Sequence, residues 1–205
     1  PASLPTYQKI LEQHGYKTRY TGKGWGPGQA LLGNPAGPAY NQIRKEVDPA
    51  YSPFNHVENF KSFLQERKPG QPFSFWISPT EPHRPYQTGI GASSGEIDMA
   101  KIQMPPFLPE TPEARSDFAD YLYEIQWFDQ ELGNILRVLE DSGELDNTLI
   151  IYTSDNGMPF PRAKSNNYEY GTHVPFAARW GNGITAHQDV SDFLSLTDLA
   201  PTFLD

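Results

Sequence analysis

The chain has 205 residues, a formal net charge of -9 and no cysteine. The missing cysteines exclude disulfides, thiolate metal sites and a cysteine nucleophile within these residues. The acidic balance argues against nonspecific binding to nucleic acid or to an anionic membrane, both of which need clustered positive charge. No apolar run approaches a membrane span, and no leader begins the chain, although Pro1-Ala2-Ser3 reads as an internal cut that leaves export open.

Ser3 caps and Pro5 opens a short helix whose apolar positions Leu4, Tyr7, Ile10 and Leu11 share a face, with Gly15 as its C′ glycine. Residues 16–21 predict a strand. The glycine-rich loop Gly22-Lys23-Gly24-Trp25-Gly26-Pro27-Gly28 leaves its end. Such a loop lets backbone approach a ligand closely, and Lys23 places a point charge there. Its spacing is not that of a phosphate-binding P-loop, and by itself it is equally a plain loop. Prolines keep residues 29–54 irregular. A helix is predicted over His56 to Arg67 with Val57, Phe60, Phe63 and Leu64 inward, then a strand over residues 72–78. Beyond that strand the prolines of Pro82-His83-Arg84-Pro85 hold His83 and Arg84 rigidly. A lone histidine is also an ordinary surface or core residue.

After a second irregular stretch, residues 87–110, Thr111 caps a long helix with Pro112 at its first position and Glu113 in its first turn. Phe118, Leu122, Ile125, Phe128, Leu132, Ile135, Leu136 and Leu139 keep an apolar stripe until Gly143. Residues 148–153 predict a strand buried on both faces, stopping at Ser154-Asp155-Asn156-Gly157. The Asp155 carboxylate and Asn156 amide oxygen at a strand end suit a hard cation such as Ca²⁺ or Mg²⁺; the same letters also make an ordinary turn. A further strand covers residues 174–180, with Pro175 near its start, and the tail stops within a helix at Asp205.

Alternating strands and helices predict an α/β fold, a mainly parallel sheet flanked by helices. Lys23, His83 and the Asp155-Asn156 pair each follow the carboxyl end of a predicted strand. If those strands are parallel neighbours, these residues converge on one sheet edge.

In this order and spacing, Thr21-Gly22-Lys23-Gly24-Trp25, Pro82-His83-Arg84-Pro85-Tyr86, Thr153-Ser154-Asp155-Asn156-Gly157-Met158-Pro159-Phe160-Pro161, Tyr168-Glu169-Tyr170-Gly171-Thr172-His173-Val174-Pro175 and Ser195-Leu196-Thr197-Asp198-Leu199-Ala200-Pro201-Thr202 resemble the sulfatases of the alkaline-phosphatase-like superfamily, most closely the branch similar to heparan N-sulfatase. The resemblance implies hydrolysis of a sulfate ester or sulfamate, on a sulfated carbohydrate, by a formylglycine made in a C/S-x-P-x-R motif, with one Ca²⁺ as Lewis acid. It assigns Asp155 and Asn156 to the metal, Lys23 to the formylglycine and a sulfate oxygen, and His83 to protonation of the leaving group. It also assigns Lys164, nine residues beyond Asp155, to the sulfate. Trp25 stands where the family usually has a histidine, and no formylglycine motif occurs; Thr80-Glu81-Pro82-His83-Arg84 has only its outline. The expectation is therefore an internal, partial catalytic domain over residues 1–205, inactive by itself and weak in metal binding, whose nucleophile segment and C-terminal subdomain lie elsewhere in an exported or lysosomal parent. A missing strand would leave a sheet edge open to self-association. Two other readings are a phosphatase or phosphonate hydrolase of the same superfamily, and a non-catalytic carbohydrate-binding module that stacks sugars on Trp25, Trp76, Tyr86 and Tyr170.

Overall fold

The structure, a computed structural model, describes residues 5–26, 33–48 and 50–205. In chain order its elements are α1 (Tyr7–Gln13), β1 (Lys17–Gly22), α2 (His56–Gln65), β2 (Phe73–Ser78), α3 (Ile90–Ser93), α4 (Pro112–Asp141), β3 (Ile150–Thr153), α5 (Glu169–Thr172), β4 (Phe176–Arg179) and α6 (Leu199–Leu204). The chain divides into two compact units: Pro1–Val47, Ser52–Thr80 and Gln188–Asp205 form the first, Asp48–Tyr51 and Glu81–His187 the second. The predicted cap Ser3, the apolar Leu4 and the loop residues Pro27 and Gly28 lie outside the described residues.

In the first unit β1 and β2 pair in parallel, from Lys17 opposite Phe73 to Gly22 opposite Ser78. Helix α2 starts at Asn55, whose side chain accepts from the Glu58 N–H at 3.1 Å. It lays Phe60 and Phe63 on the sheet, with Phe63 ring centroids 4.5 Å from Phe75 and 5.9 Å from Phe73. Phe63 has no exposed surface, a burial that contributes about 2–3 kcal/mol. The inward face of α2 is more polar than predicted: His56 and Asn59 are buried with the two phenylalanines, while Val57 and Leu64 are only half-buried. Asn59 is satisfied by Ile43, donating to its carbonyl at 2.8 Å and accepting from its N–H at 3.0 Å.

In the second unit the limits of α4 follow its capping signals. Thr111 Oγ1 accepts from Ala114 N–H at 3.2 Å, and Gly143 takes a positive φ of 73° just past the end. Its N-terminal half packs Phe118 and Ala119 with Ile102 and Phe160. Short α3 comes close enough for a Cβ on Gly91 to sit 2.3 Å from the Ala119 carbonyl, so only glycine fits there. Strand β3 departs from expectation in two ways. It is half-buried rather than enclosed on both faces, and it pairs antiparallel with β4, Ile150 opposite Arg179 and Thr153 opposite Phe176. Pro175 falls just outside β4. With its partner β4 exposed along its length, β3 lacks the second covering layer that would hide both of its faces.

Candidate functional site

Each predicted site residue sits where an element ends. Lys23, exposed, follows β1 directly, and its N–H donates to the Ser78 carbonyl at 2.7 Å at the end of β2. That close approach requires Gly22, whose φ is +89° and whose added Cβ would lie 2.0 Å from Ser78 O. A cavity of about 190 Å³ opens here, lined by Lys23, Ser52, Ser78 and Thr80 among others. Trp25 is about half exposed, and its backbone N–H donates to Asn34 Oδ1 at 3.1 Å. All of these belong to the first unit.

The remaining candidates belong to the second unit. His83 is exposed, and its Nδ1 lies 2.6 Å from the Arg84 carbonyl. A carbonyl only accepts, so the proton sits on Nδ1, and Nε2 is the atom presented for chemistry. Arg84 fixes the loop: NH1 and NH2 reach the two oxygens of Asp117 at 2.8 and 2.5 Å, and Nε donates to Pro159 O at 3.2 Å. The guanidinium also lies 4.6 Å from the Tyr86 ring and 4.9 Å from the Phe160 ring. Because Pro159 and Phe160 follow the Asp155-Asn156-Gly157 turn, Arg84 ties the His83 loop to the segment carrying the other candidates.

Asp155 is exposed just past β3, and Asn156 Nδ2 donates to Gly157 O at 2.9 Å. Asn156 thus keeps its amide oxygen for an outside partner. Gly157 is required by crowding, since a Cβ there would lie 1.9 Å from the Tyr170 carbonyl. Lys164 rides on a tight loop in which its N–H donates to Met158 O at 3.0 Å and Ala163 is fully buried. Two non-glycine residues beside it hold positive φ, Arg162 at 61° and Ser165 at 64°, each costing about 1–3 kcal/mol. Strain of this kind persists where surrounding contacts over-determine a conformation, and here it fixes where Lys164 leaves the backbone.

The donor set of Asp155 and Asn156 is all oxygen, which fits a hard cation such as Ca²⁺. Among the described residues no group of three or more His, Cys, Asp or Glu side chains is placed to hold a metal ion. Two donors are fewer than the roughly six to eight that Ca²⁺ takes, so this pair fits as part of a ligand set. The aromatic residues weighed as sugar platforms mostly have internal partners: Trp76 donates to the Tyr7 hydroxyl, Tyr86 lies under Arg84, and Tyr170 packs 4.9 Å from Phe107.

Two buried groups carry no signal in the sequence. His56, at the start of α2, brings its ring to within 2.9 Å of where a Cβ on Gly22 would stand. Glu124, with no exposed surface, lies on the inner side of α4, and burial beside Glu81, Asp120 and Asp48 pushes its carboxyl up to about 8. Neither oxygen of Glu124 has a hydrogen-bond partner among the described residues.

The sequence model of the family described as Sulfatase matches residues 1–205. N-sulphoglucosamine sulphohydrolase of Homo sapiens is 36% identical over 172 residues, covering 71% of this chain and 33% of its own length. An ulvan-active sulfatase of Formosa agariphila is 36% identical over 183 residues, 81% of this chain and 30% of its own length. Among solved structures, a protein from a Bacteroides thetaiotaomicron locus for metabolism of multiple glycosaminoglycans superposes with a TM-score of 0.76 at 19% identity, over 100% of this chain and 53% of that one. The chain thus spans about a third of the length of these curated relatives, and the structural likeness establishes the same α/β fold.

Proposed function

This chain belongs to the sulfatase family, and from that premise we propose that it forms part of a hydrolase removing sulfate from an ester or sulfamate on a sulfated carbohydrate. The observation that carries this reading is the second unit's construction. A stiff strand ends in the Asp155-Asn156-Gly157 turn, a strained loop fixes Lys164, and Arg84 fastens the His83 loop to the same segment. The substrate class is supported by relatives named for N-sulphoglucosamine and for ulvan.

In this reading Asp155 and Asn156 would hold part of the coordination sphere of one Ca²⁺, which when bound supplies Lewis acidity toward sulfate oxygens. Lys164 neutralises charge that builds on the sulfate as the bond to sulfur breaks. His83, with Nδ1–H fixed on the Arg84 carbonyl, carries a proton on Nε2 to the departing oxygen or nitrogen. Lys23, at the exit of β1, meets a sulfate oxygen and the formylglycine; these 205 residues contain no C/S-x-P-x-R stretch to supply that nucleophile. Incubating the enzymatically active full-length protein with a sulfated aryl ester and its phosphate counterpart tests the reading. Desulfation is expected to dominate, and Asp155→Ala or Lys164→Ala is expected to lower kcat/KM by about 10²–10³-fold. Preference for the phosphate, or full activity without Asp155, would overturn it.

A further inference from the structure

The loop that carries Lys164 holds a second cation, Arg162, which the proposed chemistry does not use. The two flank Ala163, which has no exposed surface, and Phe160 just ahead of them is buried against α4, so the loop is fastened to the second unit from beneath. Ala163 N–H donates to Phe160 O at 3.2 Å and Lys164 N–H to Met158 O at 3.0 Å. Arg162 itself is exposed and takes a φ of 61°. A bulky side chain adopts that left-handed conformation rarely, and such outliers cluster at binding and active sites.

Every other arginine of the second unit bonds a side-chain oxygen. Arg84 reaches Asp117 at 2.8 Å, Arg115 reaches Glu110 at 2.9 Å, Arg137 reaches Asn134 Oδ1 at 2.8 Å and Arg179 reaches Asp146 at 2.9 Å. Among the described residues Arg162 has no such partner, and its guanidinium lies 5.8 Å from the Tyr168 ring. The first acid beyond it in sequence, Glu169, is taken by His173 Nδ1–H at 2.6 Å. With 25 acidic residues to 16 basic ones, this chain does not lack carboxylates. An arginine held in an unfavourable backbone conformation yet given no internal acid is one whose counter-ion comes from outside the fold.

Tyr168 completes the arrangement. Its residue is 57% exposed, and its backbone is held at the start of α5, where its carbonyl accepts from Gly171 N–H at 2.8 Å and Thr172 N–H at 3.1 Å. A guanidinium over a ring face keeps its N–H edges free, and those edges match the paired oxygens of a carboxylate or sulfate. Arg162 and Lys164 are two residues apart, so their Cα atoms stand at most about 7 Å from one another, and one ligand of sugar size can meet both. We propose that Arg162, braced on Tyr168, is a specificity-determining residue that takes a second oxyanion of the substrate, a carboxylate or a further sulfate, beside the sulfate met by Lys164. The substrate class is then a polyanionic glycan rather than a singly sulfated sugar. The inference rests on the reading of Lys164 as a sulfate contact.

Steady-state kinetics of the active full-length protein on three disaccharides tests this. The three share the scissile sulfate and carry, besides it, no further anion, a uronate carboxylate, or a second sulfate. The unaltered protein is expected to show the lower KM for a doubly charged substrate. Arg162→Asn removes the charge with a residue that tolerates a left-handed backbone. It is expected to raise that KM roughly 10- to 100-fold, with kcat and melting temperature nearly unchanged, and the substrate that loses most identifies the oxyanion read. One KM for all three substrates in the unaltered protein, an equal loss on all three in Arg162→Asn, or a fall in kcat in place of a rise in KM overturns the inference. Lys164→Ala keeps the two readings apart. A large drop in kcat/KM on all three substrates upholds the sulfate contact whatever Arg162 does, whereas full activity overturns both readings.

Discussion

Glu124 is a carboxyl group in mid-helix with no exposed surface and no hydrogen-bond partner among the described residues. Water is lost to it, and the charges that act on it are the like charges of Glu81, Asp120 and Asp48, so the neutral acid is favoured. Its value rises from an ordinary 4.5 to about 8. The folded state therefore holds this proton more tightly than the unfolded chain. The stability it contributes is whole below pH 4.5 and drains away as pH climbs to about 8. Glu124→Gln, a neutral isostere, is expected to remove that slope: urea midpoints of the two proteins should lie close at pH 5, with the variant clearly ahead at pH 9. Equal pH dependence in both would show that the carboxyl is ionised in the fold. Nothing in the letters disclosed this group. A glutamate next to Ile125 in an amphipathic stripe reads as solvated, and only packing of the half-helix around Phe118 reveals that it faces inward. Asp120 shows the contrast: it is equally hidden, but accepts from Gly89 N–H and Gly91 N–H at 2.8 Å each and so stays satisfied.

Elements bounded by their own capping chemistry were legible, and elements defined by a partner were not. Thr111, Pro112 and Gly143 mark the ends of α4 to within a residue or two, because a cap is a local hydrogen-bond problem. The direction of β3 and β4 was not readable, since strands this short pair as tertiary neighbours dictate. The turn after β3 could be located but its neighbours could not; the bond from Arg84 to Pro159 spans 75 residues. That anchor separates stability from activity. The Arg84–Asp117 pair is about 41% exposed on both sides, and pairs in that setting contribute little to folding, about 0–1 kcal/mol. Loop placement is far less forgiving, because a shift of about 1 Å at a reacting group can cost roughly 10²-fold in rate. Asp117→Ala is therefore expected to leave the melting temperature of the active full-length protein nearly unchanged while lowering kcat about 10-fold or more through His83. A melting shift large enough to explain the lost activity would refute that separation.

For the molecule as a whole, the α/β class and the sulfatase family were both readable from ordered motifs, whereas the division into two units was not, since neither is continuous in sequence. Exposed apolar surface predicts a solution property. Strand β4 is exposed along its length, and Val190, Phe193 and Leu194 are each more than half exposed, Phe193 completely. Unpaired edges and apolar patches of this kind favour association. Light scattering behind size exclusion should show the mass of this chain rising with concentration, and Phe193→Lys should reduce the rise; a constant monomer mass would rule it out. The interleaved units also bear on biosynthesis. Helix α1 rests on α6, Tyr7 and Phe203 rings lying 5.2 Å apart within the first unit. On a ribosome delivering residues in order, that unit waits for its closing segment, Gln188–Asp205, while all of Glu81–His187 has already emerged. Of the two units, the one whose earliest segment emerges sooner is the one whose closing segment emerges later, so its β1–β2 sheet waits longer for its full set of contacts.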